Sequence, residues 1–256
     1  MSRIASFLIG LKARSSAASF ERATHDPTAA QEALLRRMMA KNRDTEYGRE
    51  HGFGEVRGFA DYRTRVPVVD FEDIRERIDR VTRGEKGVLT AEDPVLFAQT
   101  SGTTGTPKYI PVTRTCQQGG GMTTWLHYAR RDHPGMFRDK IVTIVSPAIE
   151  GHTEGGLPFG STSGMVVKEM PKIVQLAYAV PYDVYEIHDY EAKYYVLLRL
   201  GLDRSVSFIG TANPSSILKL AEMADAHSER LIRDLRDGTL SYEVEIQPAV
   251  RQGFGA

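Results

Sequence analysis

Apolar positions recur at helical spacing after His25-Asp26-Pro27, where Leu34, Leu35, Met38 and Met39 follow the i, i+3, i+4 rule. Asp26 is a good N-cap and Pro27 suits a first turn, so the pattern predicts an amphipathic helix ending near Lys41, its methionines packed in a core. Residues 45–53, with Gly48 and Gly52, read as a loop. Phe59 and Tyr62 then mark a short helix, residues 65–69 an extended stretch, and residues 71–81 a second helix. Residues 94–99, carrying Val95, Leu96 and Phe97, and the later Tyr109, Ile110 and Val112 read as strands, so the segment between them sits at a strand-loop-strand turn. Thr113 can cap a helix running toward Arg131. Gly119, Gly120 and Gly121 fall inside it, and each costs about 1 kcal/mol relative to Ala in a helix interior, so either the helix breaks there or another backbone passes close.

A strand over 141–145 precedes residues 146–164, a Gly-, Ser-, Thr- and Pro-rich stretch too long for a plain connector and read as a binding loop. Residues 190–202 have helical spacing, residues 206–209 read as a buried strand, and Asn213-Pro214 opens another helix, with Asn213 and Ser215 explained by capping. Strands and helices alternate, which predicts an α/β class. Neither a repeat nor an obvious linker interrupts the chain, so it reads as one structural unit.

Composition narrows the chemistry. A chain of 256 residues that is 41% hydrophobic and 26% charged can bury roughly 70 to 75% of its unfolded surface. Lys plus Arg equals Asp plus Glu at 33 each, so nothing steers the whole molecule toward nucleic acid or an anionic membrane; a small-molecule enzyme is expected. The single cysteine, Cys116, cannot form an internal disulfide, and no Cys/His spacing resembles a zinc site, which suggests a reducing compartment. Cys116 reads as a helix-surface residue in preference to a nucleophile. The apolar run Phe7-Leu8-Ile9 is too short for a signal-peptide core or a membrane span, and a cytoplasmic location is expected.

The chemistry concentrates in Thr100-Ser101-Gly102-Thr103-Thr104-Gly105-Thr106-Pro107-Lys108. Phosphates need several donors converging on a tight backbone. Gly102 and Gly105 allow close approach, Ser101, Thr103, Thr104 and Thr106 carry hydroxyls, and Lys108 adds a positive charge. A Walker-type loop would end in Gly-Lys-Ser/Thr, but Pro107-Lys108-Tyr109 lacks both the last glycine and the magnesium-holding hydroxyl. A plain hairpin connection could also be rich in Ser, Thr and Gly.

The whole string resembles the phosphate loop of the acyl-adenylate-forming superfamily. Its flanks are similar to the Gretchen Hagen-type acyl acid amido synthetases, the auxin-responsive conjugating enzymes of plants and their bacterial relatives. The matching segments are Thr45-Glu-Tyr-Gly-Arg-Glu-His-Gly-Phe53, Val66-Pro-Val-Val-Asp-Phe-Glu-Asp-Ile74, Arg83-Gly-Glu85, Leu89-Thr90 and Tyr109-Ile-Pro-Val-Thr113. Gly155-Gly-Leu-Pro-Phe-Gly-Ser-Thr-Ser-Gly164, Tyr195-Val-Leu-Leu198 and Thr211-Ala-Asn-Pro-Ser-Ser-Ile217 continue it, so the resemblance runs from about residue 25, with residues 1–24 weakly matched.

The resemblance implies the N-terminal portion, over 1–256, of a large adenylation domain with a luciferase-like fold. It also implies a two-step ligase, with ATP and Mg2+ as cofactors and a small carboxylic acid and an amino acid as substrates. Thr100, Ser101, Gly102, Thr103, Thr104, Gly105, Thr106 and Lys108 would bind ATP, and Lys108 would also act in catalysis. The family's acid-binding arginine falls by rough register on His127, for which Arg130 and Arg131 are nearby substitutes and ordinary packing is the favoured explanation. Met122 and Trp125 could line an acyl pocket or belong to a core, and Thr162 and Ser163 match positions near the acyl group. The superfamily's Tyr-x-x-Ser/Thr-Glu and Tyr-Arg-x-Gly-Asp segments do not occur, and Tyr182-Asp-Val-Tyr-Glu186 shares their letters without their order. The resemblance therefore covers an N-terminal segment of the ligase, and neither the small C-terminal domain nor a metal ligand is expected among these residues. An acyl-CoA-forming ligase and a catalytically incomplete ATP- or acyl-binding module are the alternatives.

Overall fold

A computed structural model describes residues 3–100, 108–117 and 121–243. In chain order it contains α1 (Arg3–His25), α2 (Pro27–Asn42), α3 (Glu46–Glu50), α4 (Phe59–Arg65), α5 (Phe71–Thr82), β1 (Pro94–Thr100), β2 (Lys108–Thr113), α6 (Arg114–Gln117), α7 (Gly121–Asp132), β3 (Lys140–Ile144), β4 (Gly151–His152), β5 (Pro158–Gly160), α8 (Thr162–Lys168), α9 (Lys172–Gln175), α10 (Tyr190–Leu202), β6 (Val206–Thr211), α11 (Pro214–Ala226) and α12 (Ser228–Asp237). The α/β class expected from the alternation is the one observed. Contacts divide the chain into two compact units: Lys12–Trp125 with Ile149–Gly160, and Met1–Leu11 with Leu126–Ala148 and Ser161–Ala256.

Capping decides where the helices of the first unit begin. Asp26 accepts from the Ala29 backbone N-H at 2.9 Å, fixing the start of α2. Asp70 and Asp73 form a reciprocal capping box that starts α5. Segment 45–53 is not the loop its glycines suggested: Thr45, 1% exposed, accepts from Gly48 N-H at 2.9 Å and opens α3. The adjacent α2 methionines part company, Met39 being buried with Phe53 and Val56 while Met38 is 50% exposed. The sheet of this unit runs β2-β1-β5-β4, with β1 antiparallel to β2 and parallel to β5. Leu96 and Phe97 are neighbours in β1 yet both buried, as in a strand covered on both faces. Phe97 packs with Val81, Val88, Tyr109 and Phe159, so helix, hairpin and β5 share one small core.

The second unit is centred on α10. Its residues 192 and 194–200 are buried almost all the way round, the signature of a helix enclosed by other elements. It packs on α11 and α12 in a core that also takes in Val142, Ile144, Val184 and Tyr185. Strands β3 and β6 pair in parallel. The expectation of a buried strand over 206–209 is corrected here: Ile209 is 43% exposed, because β6 pairs only with β3 among the described residues. Residues 146–164 likewise hold more regular structure than a binding loop, since β4, β5 and the first turn of α8 fall inside them. Helices α6 and α7 stand on either side of residues 118–120, which lie outside the described residues.

Candidate functional site

The phosphate-loop candidate is held by a hairpin. β1 and β2 keep register from Leu96↔Val112 through Gln99↔Tyr109 to Thr100↔Lys108, so the residues that begin and end the loop are strand partners. Ser101, Gly102, Thr103, Thr104, Gly105 and Thr106 lie outside the described residues, as does Pro107. Next to Thr100, the Gln99 side-chain oxygen is buried with no hydrogen-bond donor among the described residues. A buried acceptor in that state calls for a donor from elsewhere.

Lys108 opens β2. Its Nζ lies 4.9 Å from the centroid of the Phe71 ring on α5. Glu72, the next residue, accepts from Arg75 through Nε at 2.5 Å and Nη2 at 2.6 Å. The Arg75 hydrogen bond holds the Glu72 carboxyl below its ordinary range, with Lys108 adding to the effect.

Segments singled out by the resemblance frame this hairpin. Gly155 N-H donates to the Thr82 carbonyl at 2.9 Å, and a Cβ at Gly155 would stand 2.6 Å from Gly84 N, so segments 83–85 and 155–164 meet where only glycine fits. Glu46 and Tyr47 donate through backbone N-H to the Gly87 and Val88 carbonyls at 2.8 and 3.0 Å, and Arg80 forks onto Glu46 at 2.9 and 2.6 Å. The flanking segments therefore read as scaffold for the strands that carry the loop.

The remaining candidates have other surroundings. His127 is half-buried, its ring 5.3 Å from that of Tyr128 in an edge-on arrangement. Arg131 is engaged by Asp132 at 2.7 Å and lies 5.0 Å over Tyr128. Met122 and Trp125 are 65% and 44% exposed, so neither is ordinary core. Cys116 is exposed on α6, as a helix-surface residue should be. Thr162 and Ser163 form the first turn of α8. Ser161 caps it, accepting from Gly164 N-H at 3.3 Å and bonding the Ser163 hydroxyl at 2.8 Å. Thr162 is exposed, and Ser161 N-H donates to the Pro147 carbonyl at 3.1 Å, docking the turn on the chain leaving β3. Asn213 caps α11 through Ser215 N-H at 3.1 Å, the role its sequence indicated. Among the described residues no three His, Cys, Asp or Glu side chains converge to hold a metal ion.

A Ser-, Thr- and Gly-rich sequence joins two antiparallel strands of an α/β framework, and the fold matches the N-terminal part of acyl acid amido synthetase structures. Residues 16–256 match the GH3 family N-terminal domain, and the chain belongs to that family. It is 28% identical to jasmonoyl–L-amino acid synthetase GH3.3 of Oryza sativa subsp. japonica, over 93% of this chain and 54% of that protein. It is 26% identical to indole-3-acetic acid-amido synthetase GH3.6 of Arabidopsis thaliana, over 88% and 38%. Among solved structures, GH3.15 acyl acid amido synthetase matches with a TM-score of 0.80 at 25% identity, covering 93% of this chain and 43% of that one. AtGH3.15 in complex with 2,4-DB matches with a TM-score of 0.73 at 27% identity, over 82% and 38%. The chain thus spans 38% to 54% of the length of these relatives.

Proposed function

We propose that these residues are the ATP- and acid-binding N-terminal part of an acyl acid amido synthetase. The observation that carries this reading is the Thr100↔Lys108 register, which brackets a phosphate-loop sequence with a cation at its exit, in a chain of the GH3 family. In the first step the acid's carboxylate oxygen attacks the α-phosphorus of ATP and pyrophosphate leaves. In the second an amino acid's amine attacks the acyl-adenylate carbonyl, AMP leaves, the amine loses a proton and the amide forms. Backbone N-H groups and hydroxyls of Thr100, Ser101, Gly102, Thr103, Thr104, Gly105 and Thr106, with the Lys108 ammonium, meet the negative charge developing on pyrophosphate. Holding the α-phosphorus beside the carboxylate supplies proximity. Magnesium usually binds ATP enzymes through the nucleotide's phosphates and one or two carboxylates, so it would arrive on ATP and would neutralise phosphate charge there. Thr162, Ser163 and His127 are the proposed acid-side residues, and the cytoplasm is the proposed location. No described helix is long and apolar enough to cross a membrane.

The test is acid-dependent ATP–pyrophosphate exchange with a panel of aromatic, jasmonate-like and benzoate acids. Exchange that falls about 10²- to 10³-fold in Lys108→Ala supports the reading, on the scale of losing one preorganised charge-stabilising donor. Thioester formation on adding CoA would move the assignment to an acyl-CoA ligase. A chain that binds ATP and exchanges no pyrophosphate with any acid would instead be a non-catalytic binding module.

A further inference from the structure

Lys108 carries a long, freely rotating side chain, and ordering such a chain at the moment of ligand binding is entropically costly. Here the ordering comes from outside the loop. The Lys108 ammonium stands 4.9 Å from the Phe71 ring centroid, within the range in which a cation is attracted to an aromatic face. Phe71 is itself well anchored as the first residue of α5. The Asp70 carboxylate accepts from the N-H groups of Glu72 and Asp73 at 2.7 and 3.2 Å, and Asp73 returns the bond by accepting from Asp70 N-H at 2.8 Å. Arg75 also lies 4.9 Å from the same ring. Its charge is offset by the twin hydrogen bonds to Glu72, so the two cations can share the ring without a large mutual repulsion.

We propose that Phe71 is a positioning residue for Lys108: its ring seats the ammonium at the end of the phosphate loop, so that ATP meets a lysine already ordered. This rests on the reading of Lys108 as a phosphate-binding group. The experiment is a double-mutant cycle on the 256-residue chain with Phe71→Leu, Lys108→Ala and the double variant, plus Phe71→Tyr, with ATP affinity measured by calorimetry and thermal midpoints as a fold control. Phe71→Leu keeps the apolar volume and loses the ring. The expected result is a roughly two- to fivefold loss of ATP affinity, the scale of an exposed cation–π contact, with near wild-type binding in Phe71→Tyr. In the Lys108→Ala background Phe71→Leu should produce no further loss. An equal loss in both backgrounds, or a Phe71→Tyr variant as weak as Phe71→Leu, overturns the seat and makes Phe71 a packing residue. ATP affinity unchanged by Lys108→Ala instead removes the reading of Lys108 and the seat with it, a distinct outcome. Should Phe71→Leu not fold, Phe71→Met carries the same comparison.

Discussion

Asp234 is 1% exposed and still a carboxylate, which is costly unless its oxygens are fully engaged. Its Oδ2 accepts from the Tyr195 hydroxyl at 2.7 Å, the Ser241 N-H at 2.9 Å and the Ser241 hydroxyl at 3.0 Å, and its Oδ1 from the Thr239 hydroxyl at 2.8 Å. Burial pushes the carboxyl up, and these bonds outweigh it and hold the group below its ordinary range. Tyr195 is pushed up to about 12, first by burial and then by the bond to Asp234. Asp234→Ala would leave a tyrosine hydroxyl and a backbone N-H without acceptors. A loss of about 2 to 4 kcal/mol is expected, read as a lower urea midpoint, with Asp234→Asn recovering part of it because the amide oxygen still accepts. In the sequence Asp234 looks like one more charge in Ser228-Glu-Arg-Leu-Ile-Arg-Asp234; its partners lie at 195, 239 and 241, and local spacing cannot reveal them. Lys108 shows the same division. Its place in the motif was legible, while its seat on Phe71, 37 positions earlier, exists only in the fold.

At the scale of elements, helices with strong local signals were legible and those built by docking were not. α10 spans the residues its periodicity indicated, α2 and α11 begin at caps visible in the sequence, and α5 falls on the helix expected over 71–81. α1, whose middle runs through Ser15-Ser16-Ala17-Ala18-Ser19, lacks a clear apolar stripe, and α3 was hidden by Gly48. Gly48 is required because a Cβ there would meet the Asn42 carbonyl oxygen at 2.0 Å. α8 is set by contact in the same way: a Cβ at Gly164 would come within 2.2 Å of Ser146 O and 2.6 Å of Ala148 N, both backbone atoms. Gly164→Ala must therefore push α8 off the chain leaving β3. The expected cost is about 1 to 3 kcal/mol by denaturant unfolding, the range for forced overpacking, together with a raised acid KM if the Thr162–Ser163 turn meets the acid as proposed.

At the scale of the whole molecule, each of the two units is held by tethers of its own. In the first unit Glu92, just before β1, ties α2 to α6: it accepts from Lys41 Nζ at 2.5 Å, from Thr115 Oγ1 at 2.6 Å and from Thr115 N-H at 3.1 Å. The Lys41 and Thr115 bonds hold its carboxyl at about 2, from an ordinary 4.5. Because the folded chain resists protonating Glu92 more than the unfolded chain does, this contribution is complete above pH 4.5 and is lost as pH falls toward 2. The difference in thermal midpoint between wild type and Glu92→Gln should be constant from pH 7 to about 5 and shrink across that window. A constant difference down to pH 2.5 would show that the tether acts through its geometry alone. The division into units has its own consequence for biosynthesis. β1 and β2 pair with each other but share their core with Phe159 of β5, which leaves the ribosome only after Gly121–Asp132 and Lys140–Ile144 have been made. The hairpin that carries the loop must wait, half covered, while residues of the other unit are synthesised. That delay is a window for a chaperone, and a gene cut at residue 125 would make it permanent.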